Sequence, residues 1–92
     1  MNGNTTRTLP IVNVKGLHAR ASAKFVETVE QFDAEAQVEK DGIEVSGDSI
    51  MGLLMLAAPM GSEIQVKTSG RQAVELADAL QALVAGYFGE GM

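Results

Sequence analysis

The stretch AEAQVEKDGIEVS, residues 34–46, has the pattern of a β-hairpin. Apolar and polar residues alternate on both sides of the dipeptide Asp41-Gly42. Asp-Gly suits a two-residue type I′ turn, because both central positions of that turn need a positive φ. This register places Val38 opposite Val45 on one apolar face, while the opposite face is largely polar. The hairpin therefore predicts a sheet that is buried on one side only.

Further elements are predicted on both sides of this hairpin. The pattern indicates a first strand over Thr8–Val14, a helix over about residues 19–32, a short helix over Ile50–Leu56, a fourth strand around Ile64–Thr68 and a last helix that runs to about Tyr87. Pro10 cannot donate a ladder hydrogen bond, so the first strand is expected at a sheet edge.

The last helix has its own start signal and apolar stripe. Ser69 to Gln72 has the spacing of a capping box. The stripe expected to face the core consists of Val74, Ala77, Leu80, Val84 and Tyr87.

The order of elements is βαββαβα, in one domain that spans residues 1–92. The strands have one apolar face and the helices one apolar stripe. An α+β fold, in which one antiparallel sheet has helices on one face, buries both. Residues 1–7 and 89–92 are expected to be flexible. The strand order stays open on pattern alone, since the same string also fits a ferredoxin-like sheet.

Composition excludes several function classes. The chain has one histidine and no cysteine among 92 residues, which cannot build a transition-metal cage, and it has no nucleotide-binding glycine loop; no metal or cofactor is expected. The N-terminus lacks a secretory signal, and the longest apolar run, residues 50–60, is too short to span a bilayer. The net charge of −5 argues against nucleic-acid and anionic-lipid binding. We expect a cytoplasmic protein without membrane insertion.

The charges are unevenly distributed along the chain, and the only histidine, His18, lies in the basic part. Residues 1–26 contain four basic residues and no acidic one, whereas the remainder contains three basic and twelve acidic residues. His18 follows Gly16 at the junction between the first strand and the first helix, where backbone N–H groups and the helix dipole favour an anion. A neutral imidazole can act there as a nucleophile, and Arg20 can offer its guanidinium to phosphoryl oxygens.

Two other interpretations remain open for these residues. In one, His18 simply begins a helix and Arg20 is a solvated charge, because short motif matches are only hypotheses. Alternatively, the cationic patch is a docking surface on which no chemistry takes place.

Two motifs together resemble a known family. GLHAR, residues 16–20, and GDSIMGLL, residues 47–54, are similar to the two signatures of HPr, the histidine-containing phosphocarrier of the bacterial phosphoenolpyruvate-dependent sugar phosphotransferase system. The resemblance covers nearly the whole chain and implies an open-faced β-sandwich with strand order 1-4-2-3 and three helices on one face. It also implies that His18 accepts phosphate through Nδ1 from phosphorylated enzyme I and passes it to enzyme IIA, with Arg20 steadying the phosphoryl group. Such a monomeric carrier is a component of a relay rather than a stand-alone enzyme.

The short helix is expected to expose part of its apolar surface. A helix on a sheet needs only one apolar stripe, yet residues 50–56 leave no polar face. The resemblance places the partner-binding surface at Ile50, Met51, Leu54 and Met55, with Lys15 and Lys24 as basic neighbours. The alternative is complete burial of this helix under the C-terminal tail.

Ser49 has a structural and a regulatory interpretation. The structural one is an N-cap of the short helix. By resemblance, an HPr kinase/phosphorylase would phosphorylate this serine and weaken the encounter with enzyme I. Asp48 stands where relatives often have lysine and would oppose the added phosphate.

Glu27 and Glu30 also depart from the family pattern, because enteric relatives often have lysine at these positions. The charge reversal alters the electrostatic match to enzyme I. Two alternatives to a sugar-uptake carrier therefore stay open: a regulatory carrier of the nitrogen-related branch, and a non-catalytic adaptor domain of the same fold.

Overall fold

Four antiparallel strands form one sheet with its inner face against three helices, in a computed structural model that describes residues 3–90. The elements are β1 (Gly3–Pro10), α1 (Ala19–Glu30), β2 (Glu35–Lys40), β3 (Ile43–Ser46), α2 (Ile50–Met55), β4 (Glu63–Gly70), α3 (Ala73–Ala85) and a 3₁₀ turn, Tyr87–Gly89. The strand order is β1-β4-β2-β3. It confirms the α+β fold with the 1-4-2-3 order. Within residues 3–90, no helix has the length and hydrophobicity to cross a membrane.

The β2–β3 hairpin has the predicted register and turn. Val38 pairs with Val45, and β2 also pairs with β4, which sets Val38 opposite Val66. Asp41 and Gly42 have φ values of 52° and 82°, the positive pair that a type I′ turn requires. Because Val38 and Val66 are buried while their neighbours along each strand are exposed or half-buried, only the inner face of the sheet contributes to the core.

The core lies between this inner face and the helices. α1 buries Phe25, Val26 and Val29 on the apolar stripe that the sequence predicts, and it packs against α2 and α3. α3 covers β1 and β4. The predicted placement of α1 is therefore confirmed, although the helix ends at Glu30 rather than near residue 32.

The predicted bounds of the first strand were wrong. β1 begins at Gly3 and ends at Pro10, so the segment 3–7, expected to be flexible, is paired with β4 over its whole length. Apolar residues indicate the strand only near its end, because the inner face of β1 carries Thr5 and Arg7 before it reaches Leu9. The charged Arg7 side chain is tolerated on the inner face because it forms an ion pair of 2.6 Å with Asp78 on α3. Pro10 does lie on an edge strand, as predicted.

The start and the stripe of α3 also differ from the prediction. Ser69 belongs to β4, so no capping box forms, and the side chain of Gln72 accepts the backbone N–H of Asp33 at 2.7 Å instead of capping the helix. Val74 and Tyr87 are exposed. The buried stripe consists of Ala73, Leu76, Ala77, Leu80 and Val84.

The chain reverses direction after α3 in a short segment, residues 86–90, which we call the C-terminal turn. Tyr87 and Phe88 both have left-handed backbone angles, with φ values of 60° and 52°, which are costly for residues other than glycine. The Phe88 ring is fully buried, and its carbonyl oxygen accepts a hydrogen bond from Nζ of Lys24 at 2.6 Å. Gly89 and Glu90 are thus held in place, in contrast to the flexibility predicted for them. Met1, Asn2, Gly91 and Met92, also predicted to be flexible, lie outside the described residues.

Phe88→Ala is expected to lower the free energy of unfolding by about 3–5 kcal/mol, because it leaves a cavity where a fully buried ring stood. Tyr87→Ala is the matched control, since the neighbouring ring is exposed and its loss should cost less than about 1 kcal/mol. Urea denaturation measures both. Equal losses for the two variants would show that the C-terminal turn is not anchored by Phe88.

Candidate functional site

His18 lies directly before α1 and serves as its N-cap. Its φ and ψ of −79° and −177° are extended, and its carbonyl oxygen accepts the N–H of Ser22 at 2.8 Å, the first hydrogen bond of the helix. About a quarter of the His18 side chain (26%) is exposed. The imidazole is therefore reachable from solvent at the end of the helix where backbone N–H groups favour an anion.

The backbone just before His18 passes very close to the loop between α2 and β4. The Leu17 N–H donates to the carbonyl of Ala58 at 2.9 Å. Gly16 has a φ of +66°, and a Cβ atom at this residue would lie only 2.4 Å from the Ala58 oxygen. Glycine is required here for two reasons, the left-handed backbone and the close approach.

Both nitrogens of the imidazole have a partner. Nδ1 accepts the backbone N–H of Arg20 at 3.3 Å, and Nε2 contacts Oε2 of Glu90 in the C-terminal turn. A backbone N–H can only donate, so Nδ1 carries the lone pair. A carboxylate can only accept, so Nε2 carries the hydrogen. The two contacts select the same tautomer, with the nucleophilic lone pair on Nδ1.

Glu90 is itself held by Asn13, which lies in the loop before α1 and is fully buried. The Asn13 amide nitrogen donates to Oε1 of Glu90 at 3.0 Å and to the Gly16 carbonyl at 2.8 Å. Burial raises the pKa of the Glu90 carboxyl, but the hydrogen bonds from Asn13 and His18 and the charges of His18 and Lys15 outweigh it. The pKa therefore lies below the ordinary value of 4.5, and the carboxyl is ionised at neutral pH.

An open cleft of about 590 Å³ surrounds the imidazole, with Lys15 and Arg20 exposed at its edge. Among residues 3–90, the Arg20 guanidinium has no hydrogen-bond or ion-pair partner, so it is available to an incoming anion. Lys24 also lines the cleft, although its ammonium group is bound to the Phe88 carbonyl. The structure thus brings together four of the predicted residues: His18, Arg20, Lys15 and Lys24.

The predicted partner surface on α2 is largely exposed. Met51 and Met55 are 70% and 71% exposed, Ile50 is exposed and Leu54 is half-buried, whereas Leu53 is buried. The expectation of partial exposure is confirmed, and complete burial under the C-terminal tail is excluded.

Ser49 is the N-cap of α2, as predicted. Its Oγ accepts the N–H of Gly52 at 3.0 Å. Asp48 is turned to Ser46, whose hydroxyl donates to its carboxylate at 2.5 Å. The structural interpretation of Ser49 is thereby confirmed, and Asp48 is not the cap.

Asn13 and Glu90 are site residues that the sequence did not reveal. Glu90 lies 72 positions after His18, and no spacing rule connects the two. The one available signal was Phe88, since a large aromatic side chain favours burial and so indicates that its segment packs on the core.

Comparisons with known proteins agree with this geometry. A family model for the phosphorylation site of the HPr component of the phosphotransferase system (PTS) matches residues 5–86. The chain belongs to the HPr family. It is 49% identical over 85 residues to the phosphocarrier protein HPr of Neisseria meningitidis, covering 92% of this chain and 96% of the relative, and 45% identical, with the same coverage, to that of Cupriavidus necator.

Solved HPr structures show the same fold. The crystal structure of HPr from Bacillus anthracis matches with a TM-score of 0.85 at 38% identity, covering 89% of this chain and 98% of that one. Membership of the HPr family makes this chain a phosphocarrier of the PTS. It also implies partners among the components of that system.

Gly16→Ala is expected to destabilise the fold more than the matched change Gly42→Ala. Both glycines have a positive φ, which costs about 1 kcal/mol for alanine, but a Cβ at Gly42 meets nothing within 4 Å. The clash with Ala58 should raise the cost at Gly16 to about 3 kcal/mol or more. Equal losses in free energy of unfolding by urea denaturation would contradict the close approach.

The contact of Glu90 also predicts a pH dependence of stability. Because the pKa of Glu90 is lower in the folded chain than in the unfolded one, its carboxylate stabilises the fold above about pH 4.5. That contribution is lost as the pH falls from 4.5 through the lower folded-state pKa. In thermal melts from pH 7 to pH 3, Glu90→Gln should melt below the wild type at pH 7, and the difference should shrink in acid. Glu75→Gln, at an exposed site on α3, is the control, and a pH-independent difference for Glu90→Gln would contradict the assignment.

Proposed function

We propose that His18 accepts a phosphoryl group on Nδ1 from phosphorylated enzyme I and delivers it to an enzyme IIA domain in the cytoplasm. The observation that carries the proposal is the lone pair on Nδ1, which lies beside the Arg20 N–H at the start of α1. A phosphoryl group bound to Nδ1 would meet backbone N–H groups and the positive end of the helix.

Arg20 supplies an exposed positive charge at this site. Its guanidinium is exposed two residues after His18 and has no competing partner among residues 3–90. Phosphoryl transfer depends mainly on in-line placement and on stabilising charge on the equatorial oxygens, both of which a guanidinium can provide. The open cleft leaves the opposite side of the phosphorus to the partner protein.

The apolar patch on α2 supports a docking role for Ile50, Met51, Leu54 and Met55. These methionine and leucine side chains are flexible and can fit two different partners in turn, as a carrier requires. Lys15 adds positive charge at the cleft, which would attract an acidic partner. We assign this surface to both enzyme I and enzyme IIA.

Phosphorylation of Ser49 by an HPr kinase/phosphorylase would act on the same surface. A phosphate at Ser49 would sit at the start of α2, next to Ile50, and would place a dianion beside the patch. It would also compete with the capping contact to Gly52. The carrier role proposed for His18 does not depend on this modification.

Whether the chain serves the sugar or the nitrogen branch of the PTS depends on which enzyme I it binds, and charges outside the His18 site influence that choice. Glu27 and Glu30 are both exposed on α1, so either one can contact an incoming enzyme I. We propose the sugar branch because the relatives that this chain matches are phosphocarrier proteins named HPr, and the nitrogen branch is the other outcome of the partner test.

Incubation with enzyme I and phosphoenolpyruvate should add one phosphate that is labile in acid and stable in base, as measured by intact mass. His18→Ala should abolish it, because no other histidine is present. Arg20→Ala should slow the transfer by about ten- to a hundredfold, through loss of charge-assisted hydrogen bonds. Arg71→Ala removes another exposed arginine, which lies outside the cleft, and should leave the rate unchanged.

The HPr of Neisseria meningitidis serves as positive control for an active donor. An unchanged mass of this chain beside a phosphorylated control would refute the proposal, and so would a phosphate that persists in His18→Ala. The same assay is run in parallel with the enzyme I and enzyme IIA proteins of the sugar and nitrogen branches. The branch whose pair transfers phosphate faster is the one that the chain serves.

A further inference from the structure

We infer that Glu90 is a positioning residue for His18, which fixes its reactive tautomer and stabilises positive charge on the ring during phosphoryl transfer. The inference rests on the proposed function of His18. It is carried by the pairing of Nε2 with the Glu90 carboxylate across 72 positions of sequence.

The C-terminal turn is built to bring Glu90 to this place. Tyr87 and Phe88 adopt consecutive left-handed conformations, which are unfavourable unless the surroundings compensate. The burial of Phe88 and its hydrogen bond with Lys24 provide that compensation. The turn brings Glu90 to the start of α1, where its carboxylate contacts His18 and Asn13.

The Glu90 carboxylate is constrained at both oxygens. Oε1 accepts from the buried Asn13 amide and Oε2 faces Nε2 of His18, while only 15% of the side chain is exposed. A carboxylate held in this way cannot simply rotate into solvent, so the Nε2 hydrogen keeps its acceptor. This leaves Nδ1 as the ring nitrogen that carries the lone pair, next to the Arg20 N–H.

The same contact has a role as the transfer proceeds. The Nδ1 lone pair attacks phosphorus, the bond between phosphorus and the donor group of enzyme I breaks, and its electron pair returns to the donor. The Nε2 hydrogen stays on the ring, which therefore gains positive charge as the new bond forms. An ionised Glu90 next to Nε2 stabilises this charge, in the way that a buried carboxylate stabilises an imidazolium in other catalytic pairs.

The test combines a spectroscopic measurement of the free protein with transfer rates. The ¹⁵N signals of the His18 ring, measured at a pH where the ring is neutral, report the ratio of the Nε2–H to the Nδ1–H tautomer. Glu90→Ala should lower this ratio by about tenfold and slow phosphorylation by enzyme I by a similar factor. Glu90→Gln should restore much of the tautomer ratio, since its amide oxygen still accepts from Nε2, but little of the rate, since it lacks the charge.

Glu75→Ala is the matched control, because it removes one carboxylate from an exposed part of α3 and should leave both quantities unchanged. An unaltered tautomer ratio in Glu90→Ala would overturn the inference, as would an unaltered or faster rate, which would mean that Glu90 only covers the ring. Circular dichroism on each variant establishes that it is folded. The ¹⁵N measurement needs no enzyme I, and phosphorylation of the wild type tests the proposed function separately.

Discussion

Three backbone hydrogen bonds hold the loop before α1 against the loop between α2 and β4, and the geometry of the site depends on them. Ile11 exchanges hydrogen bonds of 2.8 Å with Ser62 and Gly61, and Leu17 donates to Ala58. Gly16 makes this approach possible, because any larger residue would collide with the Ala58 carbonyl. These contacts fix where α1 begins relative to α2. They therefore hold His18, at the start of α1, in a fixed position relative to α2 and its apolar patch.

The imidazole lies between two opposite electrostatic environments. On the Nδ1 side are the start of α1 and the exposed Arg20, which favour an anion. On the Nε2 side is the ionised carboxylate of Glu90, which favours a cation. Each environment matches the charge that develops on its side when phosphate is bound, negative on the phosphoryl oxygens and positive on the ring. A site of this kind needs no deep pocket, in agreement with the open cleft.

Features of the fold that follow from local chemistry could be predicted from the sequence. The Asp41-Gly42 turn, the register of Val38 with Val45, the edge position of β1 and the cap at Ser49 all depend on neighbouring residues. The β1 boundary could not be predicted in the same way. Arg7 faces inward because of Asp78, which lies on an element that follows far along the chain.

The residues of the site likewise fall into two groups: those predictable from local sequence and those that depend on tertiary packing. His18 and Arg20 lie two residues apart, so their common position at the start of a helix could be predicted from one short motif. Glu90 reaches the imidazole only because two residues adopt left-handed conformations that tertiary packing stabilises. Such a turn has no sequence signal of its own.

The central claim is that the phosphoryl group resides on Nδ1 of His18, and the phosphorylated protein itself provides the most direct test. Nuclear magnetic resonance of the ¹⁵N-labelled phosphoprotein identifies the ring nitrogen that is bonded to phosphorus from the ¹⁵N shifts and the ³¹P–¹⁵N coupling. The account predicts that phosphorus is coupled to Nδ1 while Nε2 retains its hydrogen next to Glu90. Phosphorus bonded to Nε2 would contradict it, because Glu90 could not then have held that nitrogen.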